Sequence, residues 1–155
     1  MNLTNCIPTA YAEIHGTASF PKLHGMAYFY DVTNGTVVVA EVEGLPDEDA
    51  QGAGSFFGFH IHEGSRCSGT PQDLLSATGG HYNPTHRPHP YHAGDLPPLL
   101  SMAGFAWCAV YTGRFRPDQV IGRTLVIHDK SDDFQTQPSG NSGKKIACGV
   151  IRHLQ

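Results

Sequence analysis

Two runs of β-branched and aromatic residues, GMAYFYD (25–31) and TVVVAEVEG (36–44), flank a short connection containing Asn34-Gly35. Asn and Gly accept the positive φ angles of a tight turn, so the pattern predicts an antiparallel hairpin. A lone hairpin is marginal in water and needs more strands to bury a face. The chain supplies them: AYAEIH (10–15), FFGFHIHEG (56–64), FAWCAVY (105–111), VIGRTLVIH (120–128) and IACGVIR (146–152) show similar enrichment. No window of useful length repeats apolar residues at helical spacing. The expectation is an all-β fold, an antiparallel β-sandwich or barrel of about eight short strands.

Two stretches resist strand assignment, residues 63–94 and 129–145. Both are polar and rich in Gly and Pro. Loops of that length in a compact domain are usually functional. The 155 residues, 39% hydrophobic and 15% charged, suit a single domain over residues 1–155 with a real core. No apolar run reaches the length of a membrane span. A net charge of −4 and the absence of a nucleic-acid-binding motif argue against a nucleic-acid partner. The first residues lack a basic segment followed by an apolar one, so no secretory signal is visible and a cytoplasmic location is expected. The alternative is extracytoplasmic.

Ten histidines are unevenly spread. His60-Ile61-His62 is H-x-H on an expected strand. Side chains at i and i+2 share a face, so two imidazoles can reach one metal from a rigid platform. The segment HYNPTHRPHPYHAGD (81–95) adds His81, His86, His89, His92 and Asp95. His89, His92 and Asp95, at three-residue intervals, suit tetrahedral zinc once a fourth ligand joins. His128 ends an expected strand. A metal held by H-x-H needs further nitrogens, and all-nitrogen tetragonal ligation suits copper(II). The four cysteines contain no C-x-x-C, which argues against a thiolate zinc site and leaves room for one or two disulfides. HEGSR is not H-E-x-x-H, and no G-x-S-x-G or complete Walker loop occurs.

Taken together, GFHIHEG, GGHYNP, HAGDLPPL, GRTLVIHDKSDDF and GNSGKKIACGVI resemble, in this order, motifs of the copper/zinc superoxide dismutase family. The short loop after His128 resembles its bacterial members. The resemblance covers nearly the whole chain and implies a Greek-key β-sandwich or barrel with two long functional loops. It also implies an enzyme that converts superoxide to oxygen and hydrogen peroxide by copper redox cycling, with zinc structural. Copper would be held by His60, His62, His81 and His128, and zinc by His81, His89, His92 and Asp95. His81 would bridge the two ions. Asp132 would link His60 to His89, and Cys67 would pair with Cys148. The substrate would be the superoxide anion, and the chain a monomer or homodimer.

One position departs from the family. An arginine normally stands three residues before the second disulfide cysteine, where it steers and hydrogen-bonds superoxide; here that residue is Lys145. Lysine keeps the charge and loses the planar fork. The alternative function is therefore a slow or non-catalytic copper/zinc-binding protein on the same fold. Lys144 is expected to be an ordinary solvated lysine. His86 matches no family position, and His15, His24 and His153 are expected at the surface or at strand ends. Cys6 and Cys108 are expected as thiols ahead of a second disulfide, and Trp107 in the core or on the sheet surface.

Overall fold

The computed structural model describes residues 6–46 and 55–155. Its strands are β1 (Ala10–Gly16), β2 (His24–Val32), β3 (Gly35–Glu43), β4 (Ser55–Phe57), β5 (Phe59–His62), β6 (Leu99–Met102), β7 (Phe105–Thr112), β8 (Thr124–His128) and β9 (Lys145–His153). They form one antiparallel sheet in the order β4-β6-β7-β3-β2-β1-β9-β8-β5. The two ends of that order, β4 and β5, are consecutive in the chain and separated by Gly58 alone. The sheet therefore curls into a nearly closed barrel whose two edges are halves of one interrupted strand. Strands β3 and β4, and likewise β7 and β8, follow one another in the chain without being neighbours in the sheet, which is Greek-key connectivity. No helix among the described residues is long and apolar enough to cross a membrane.

The expected hairpin is present, with Val32 paired to Gly35. Its turn falls one residue earlier than the Asn-Gly pair suggested. Asn34 takes the positive φ of 64°. Gly35 instead opens β3, because a Cβ there would collide with the Thr112 carbonyl of β7. Three further boundaries differ from the sequence reading. The strand expected over 56–64 breaks at Gly58, where a Cβ would come 2.8 Å from Ser142 Cβ and Oγ. The strand expected from 120 begins at Thr124, after one helical turn, α1 (Pro117–Val120). The short strand β6, just after Pro97 and Pro98, was not anticipated.

Inward residues alternate as a half-buried sheet requires: Ala10, Ala12 and Ile14 on β1, and Val38, Ala40 and Val42 on β3, are all fully buried. Strands β5 and β8 break the alternation, since every residue in both is buried. Phe59, Ile61, Leu125 and Ile127 face the barrel core. The opposite faces, carrying His60, His62 and His128, are covered by the two long loops. A second, small apolar cluster of Leu75, Val126 and Cys148 lies under the first loop. There the Cys67–Cys148 disulfide joins that loop to β9, while Cys108 remains a thiol.

The disulfide spans 81 residues of sequence. In the chain-entropy view such a crosslink contributes about 4–5 kcal/mol. Replacing Cys67 and Cys148 together by Ser should lower urea-unfolding stability by up to this amount. A loss below about 1 kcal/mol would mean that the loop is anchored mainly by other contacts.

Candidate metal centre

The site is built outward from β5. On this strand Phe59 and Ile61 turn inward, so His60 and His62 emerge together on the outer side. His128 ends the neighbouring strand β8 at an irregularity in the β8–β9 register, which re-aims its side chain. The other side of β5 would be an open edge. The first loop fills it with backbone hydrogen bonds: Tyr82 N–H donates to Ile61 O at 2.8 Å, Ile61 N–H to Gly94 O at 2.8 Å and Glu63 N–H to Gly80 O at 2.9 Å. These stitches bring His81 opposite His62 and Asp95 opposite His60. Gly94 permits the approach, because a Cβ there would collide with the Ile61 carbonyl.

Two sets of side chains result, each with ligand atoms within 4.8 Å of one another: His60, His62, His81 and His128, and His81, His89, His92 and Asp95. His81 belongs to both. All seven positions singled out by the sequence thus converge, while His86 joins neither set. His15, His24 and His153 are exposed, as expected.

The ring nitrogens are sorted by their outward partners. His60 Nε2–H donates to Asp132 Oδ2 at 2.7 Å, His62 Nδ1–H to Gly79 O at 2.9 Å and His128 Nδ1–H to Gly143 O at 3.4 Å. The remaining nitrogens point inward. His62 Nε2 and His128 Nε2 lie 3.2 Å apart. His60 Nδ1, His81 Nε2 and His89 Nδ1 are buried without a hydrogen-bond partner. Orphaned buried nitrogens are costly unless something else satisfies them. A cation between them does so, and these donor sets fit one. Four imidazole nitrogens suit copper, and three imidazoles with a carboxylate suit zinc.

Electrostatics agree with ligation. Burial is the largest cause holding His60 and His62 below the usual imidazole range, and it pushes His128 down to about 3. These rings are therefore neutral at pH 7 and offer lone pairs. Burial would raise the Asp95 carboxyl, but the hydrogen bond with His81 and the nearby imidazoles outweigh it and keep Asp95 ionised. Burial likewise opposes ionisation of Asp132. Hydrogen bonds with His60, the Phe134 N–H and His89 prevail and hold it well below the carboxylate range.

Asp132 spans the two sets. Its Oδ2 accepts from His60, and its Oδ1 accepts from His89 Nε2–H at 2.8 Å. The structure adds three positions that the sequence did not reveal. Gln137 grips the backbone of His89 in both directions, accepting from its N–H at 2.9 Å and donating to its carbonyl at 2.7 Å. Arg114, beyond β7, donates to the carbonyls of Pro90 at 2.8 Å and His92 at 3.1 Å. Gly140 has a φ of 69° and sits against the Asp132–His89 contact. A Cβ there would collide with Asp132 Oδ1 and come 2.7 Å from His89 Nε2.

A family profile described as copper/zinc superoxide dismutase (SODC) matches residues 23–151. The chain belongs to the copper/zinc superoxide dismutase family. A superoxide dismutase [Cu-Zn] of Deinococcus radiodurans is 37% identical, with 95% of this chain and 86% of the relative covered. Superoxide dismutase [Cu-Zn] 2 of Aquifex aeolicus is 32% identical, covering 92% of this chain and 86% of that protein. The mouse protein named extracellular superoxide dismutase [Cu-Zn] is 30% identical over 84% of this chain and 54% of its own length. Among solved structures, a double mutant of a SOD-like protein from Bacillus subtilis superposes with a TM-score of 0.74 at 27% identity, covering 92% of this chain and 96% of that one.

Within this family setting the cleft above the four-histidine set becomes informative. It has a volume of about 440 Å³, and its walls include His62, His81, His128, Glu63, Ser139 and Lys145. Lys145 Nζ donates to Gly79 O at 3.2 Å and to Leu75 O at 3.4 Å, with Asp73 Oδ2 3.9 Å away. The Gly79 carbonyl also accepts from His62, so one oxygen positions both an ammonium and a ring of the metal set. Lys144 is exposed and stands outside this cleft.

Groups that orient ligands typically change metal affinity by about 10 to 100-fold when lost. Gln137→Ala and Gly140→Ala should each speed zinc release to a chelator by about 10-fold or more. The cobalt(II) spectrum of the zinc position should change, whereas the unfolding midpoint of the metal-free protein should move little for Gln137→Ala. Unchanged zinc release in both variants would remove the positioning role.

Proposed function

We propose that residues 1–155 act as one domain that dismutes superoxide, with His60, His62, His81 and His128 holding copper and His81, His89, His92 and Asp95 holding zinc. The observation that carries this assignment is the division of His81. Its Nε2 is a buried orphan, whereas its Nδ1 lies 2.7 Å from Asp95 Oδ1 and 3.3 Å from His92 Nδ1. Bound copper supplies one-electron redox chemistry, and bound zinc supplies a fixed structural charge.

The chain's own residues do the rest. Asp132 and the carbonyls of Gly79 and Gly143 fix the tautomers and orientations of His60, His62 and His128. His81 Nε2 is the atom that holds and releases a proton during turnover. The Lys145 ammonium attracts the superoxide anion into the cleft of a protein that is otherwise net negative, −4. Local cationic focusing of this kind raises on-rates by about 10 to 1000-fold. That net charge gives no support for a nucleic-acid partner. The Cys67–Cys148 disulfide supports the extracytoplasmic alternative over the cytoplasmic expectation, because such bonds persist in oxidising compartments.

A second reading, a slow or non-catalytic metal-binding protein, is favoured by one observation. The Lys145 side chain is only 17% exposed and is tied to two carbonyls, which restrains it from meeting an anion. Superoxide dismutation by copper/zinc-loaded protein separates the two. The enzyme reading expects a rate far above that of copper-free protein, a drop of about 10-fold or more in Lys145→Met with a flatter dependence on salt, and a Lys145→Arg rate at or above the native one. Loaded protein no faster than copper-free protein would eliminate it.

A further inference from the structure

The outer side of β1, β2 and β3 carries a second gathering of metal-ligating side chains, none of which lines the metal cleft. Successive strand residues alternate in direction, so Glu13 and His15 on β1, His24 and Met26 on β2, and Glu41 and Glu43 on β3 all point outward. Register sets them in rows. His15 stands opposite His24, and His24 opposite Glu43, across three adjacent strands. Glu13 and Glu41 flank Met26 in the next row. Gly16 N–H donates to Leu23 O at 2.7 Å, so the neighbouring rung, His15 with His24, is a non-hydrogen-bonded pair. Side chains stand closest in such pairs, with Cβ atoms about 4.5–5.5 Å apart or less.

These residues line a groove of about 320 Å³ whose walls hold three carboxylates and two imidazoles but no lysine or arginine. The local field therefore draws cations. His24 Nδ1–H donates to Lys22 O at 2.9 Å, which leaves a lone pair on Nε2 of the neutral ring. That nitrogen is 3.6 Å from Glu43 Oε2, so two electron-pair donors stand side by side. His15 Nε2 is 3.2 Å from Glu13 Oε1. Two ligands bound about 2.0–2.1 Å from one tetrahedral ion are themselves about 3.3 Å apart. Each pair thus has the spacing of ligands that share a metal. One surface His–Glu pair is ordinarily a solvated contact of little weight. Here two such pairs meet at a single rung of the sheet.

We propose that His15 and His24, together with Glu13 and Glu43, form a surface site for one divalent transition-metal ion, separate from the buried centre and binding copper(II) most tightly. Two imidazoles with two carboxylates make a nitrogen and oxygen set that suits tetragonal copper(II), and copper(II) stands highest in the affinity order of the divalent first-row metals. In the present rotamers the four ligand atoms form two pairs rather than one closed set. Their side chains are 66%, 61%, 64% and 58% exposed for His15, His24, Glu13 and Glu43, so no packing holds them apart. Rotation between staggered side-chain conformers closes the set without moving the backbone. The paired strands supply the fixed part, the spacing between the rings. An ion held here is open to solvent and exchangeable, unlike one beneath the two long loops. The site does not depend on the dismutation reading.

The test starts from the full chain with its disulfide intact, loaded with copper and zinc and freed of unbound metal. Copper(II) is then added from about 1 to about 100 µM, a span that brackets micromolar binding. Calorimetry and paramagnetic resonance follow the uptake, and metal analysis checks that zinc is retained. The expected result is one further copper(II) per chain, with nitrogen ligation in its resonance spectrum. His15→Gln and His24→Gln should each weaken this uptake by about 10-fold or more, since losing a direct ligand has at least the effect of losing a group that orients one. Circular dichroism and the metal already bound should stay unchanged in both variants. His86→Gln and His153→Gln, two other exposed histidines, should leave the uptake as it was. Absence of a further equivalent overturns the proposal. So does an equivalent that keeps its affinity in His15→Gln or in His24→Gln, or one that His86→Gln or His153→Gln removes.

Discussion

The site turns on one buried carboxylate. Asp132 accepts from a ring of each histidine set and from the Phe134 N–H. An ionised carboxylate out of water is costly unless its lone pairs are occupied, and here the occupants are the rings that must be oriented. One residue therefore does two jobs. It fixes which nitrogen of His60 and of His89 faces inward, and it ties the second loop to the first. Gly140 belongs to the same unit, since only a residue without a Cβ lets the loop close over the contact.

This arrangement needs a stiff base, and β5 provides it. The strand is buried on its inner face by the core and paired on one side with β8. Its other side would expose unpaired backbone groups, and the first loop satisfies them with Gly80, Tyr82 and Gly94. A long segment without regular secondary structure thereby acquires the definition of a sheet. That is why residues as far apart in sequence as His60 and Asp95 stand opposite each other.

Much of this was legible in the chain. The two-residue period of a strand made His60 and His62 a pair, and the His89, His92 and Asp95 spacing marked the second set. The part played by Asp132 came from family resemblance, because nothing local to a polar loop singles out one aspartate. Gln137 and Arg114 left no signal at all. They act on backbone groups of residues 89–92 across 22 to 48 positions of sequence, through contacts that any glutamine or arginine could make. The same limit applied to the turn at Thr33-Asn34. The glycine of Asn-Gly answers to the carbonyl of Thr112 on a distant strand, and that demand is invisible in the dipeptide. Strand β6 escaped because its four residues follow two prolines and look like loop.

The interruption at Gly58 has a consequence beyond geometry. The strand that carries His60 and His62 is also the seam at which the barrel closes, with β4 zipped to β6 and β5 to β8. Anything that grips the histidines together acts as a rivet on this seam. Slackening there would uncover strand edges on either side, and bare edges are templates for pairing with other chains. In this molecule, filling the metal centre and guarding against aggregation are one mechanical act.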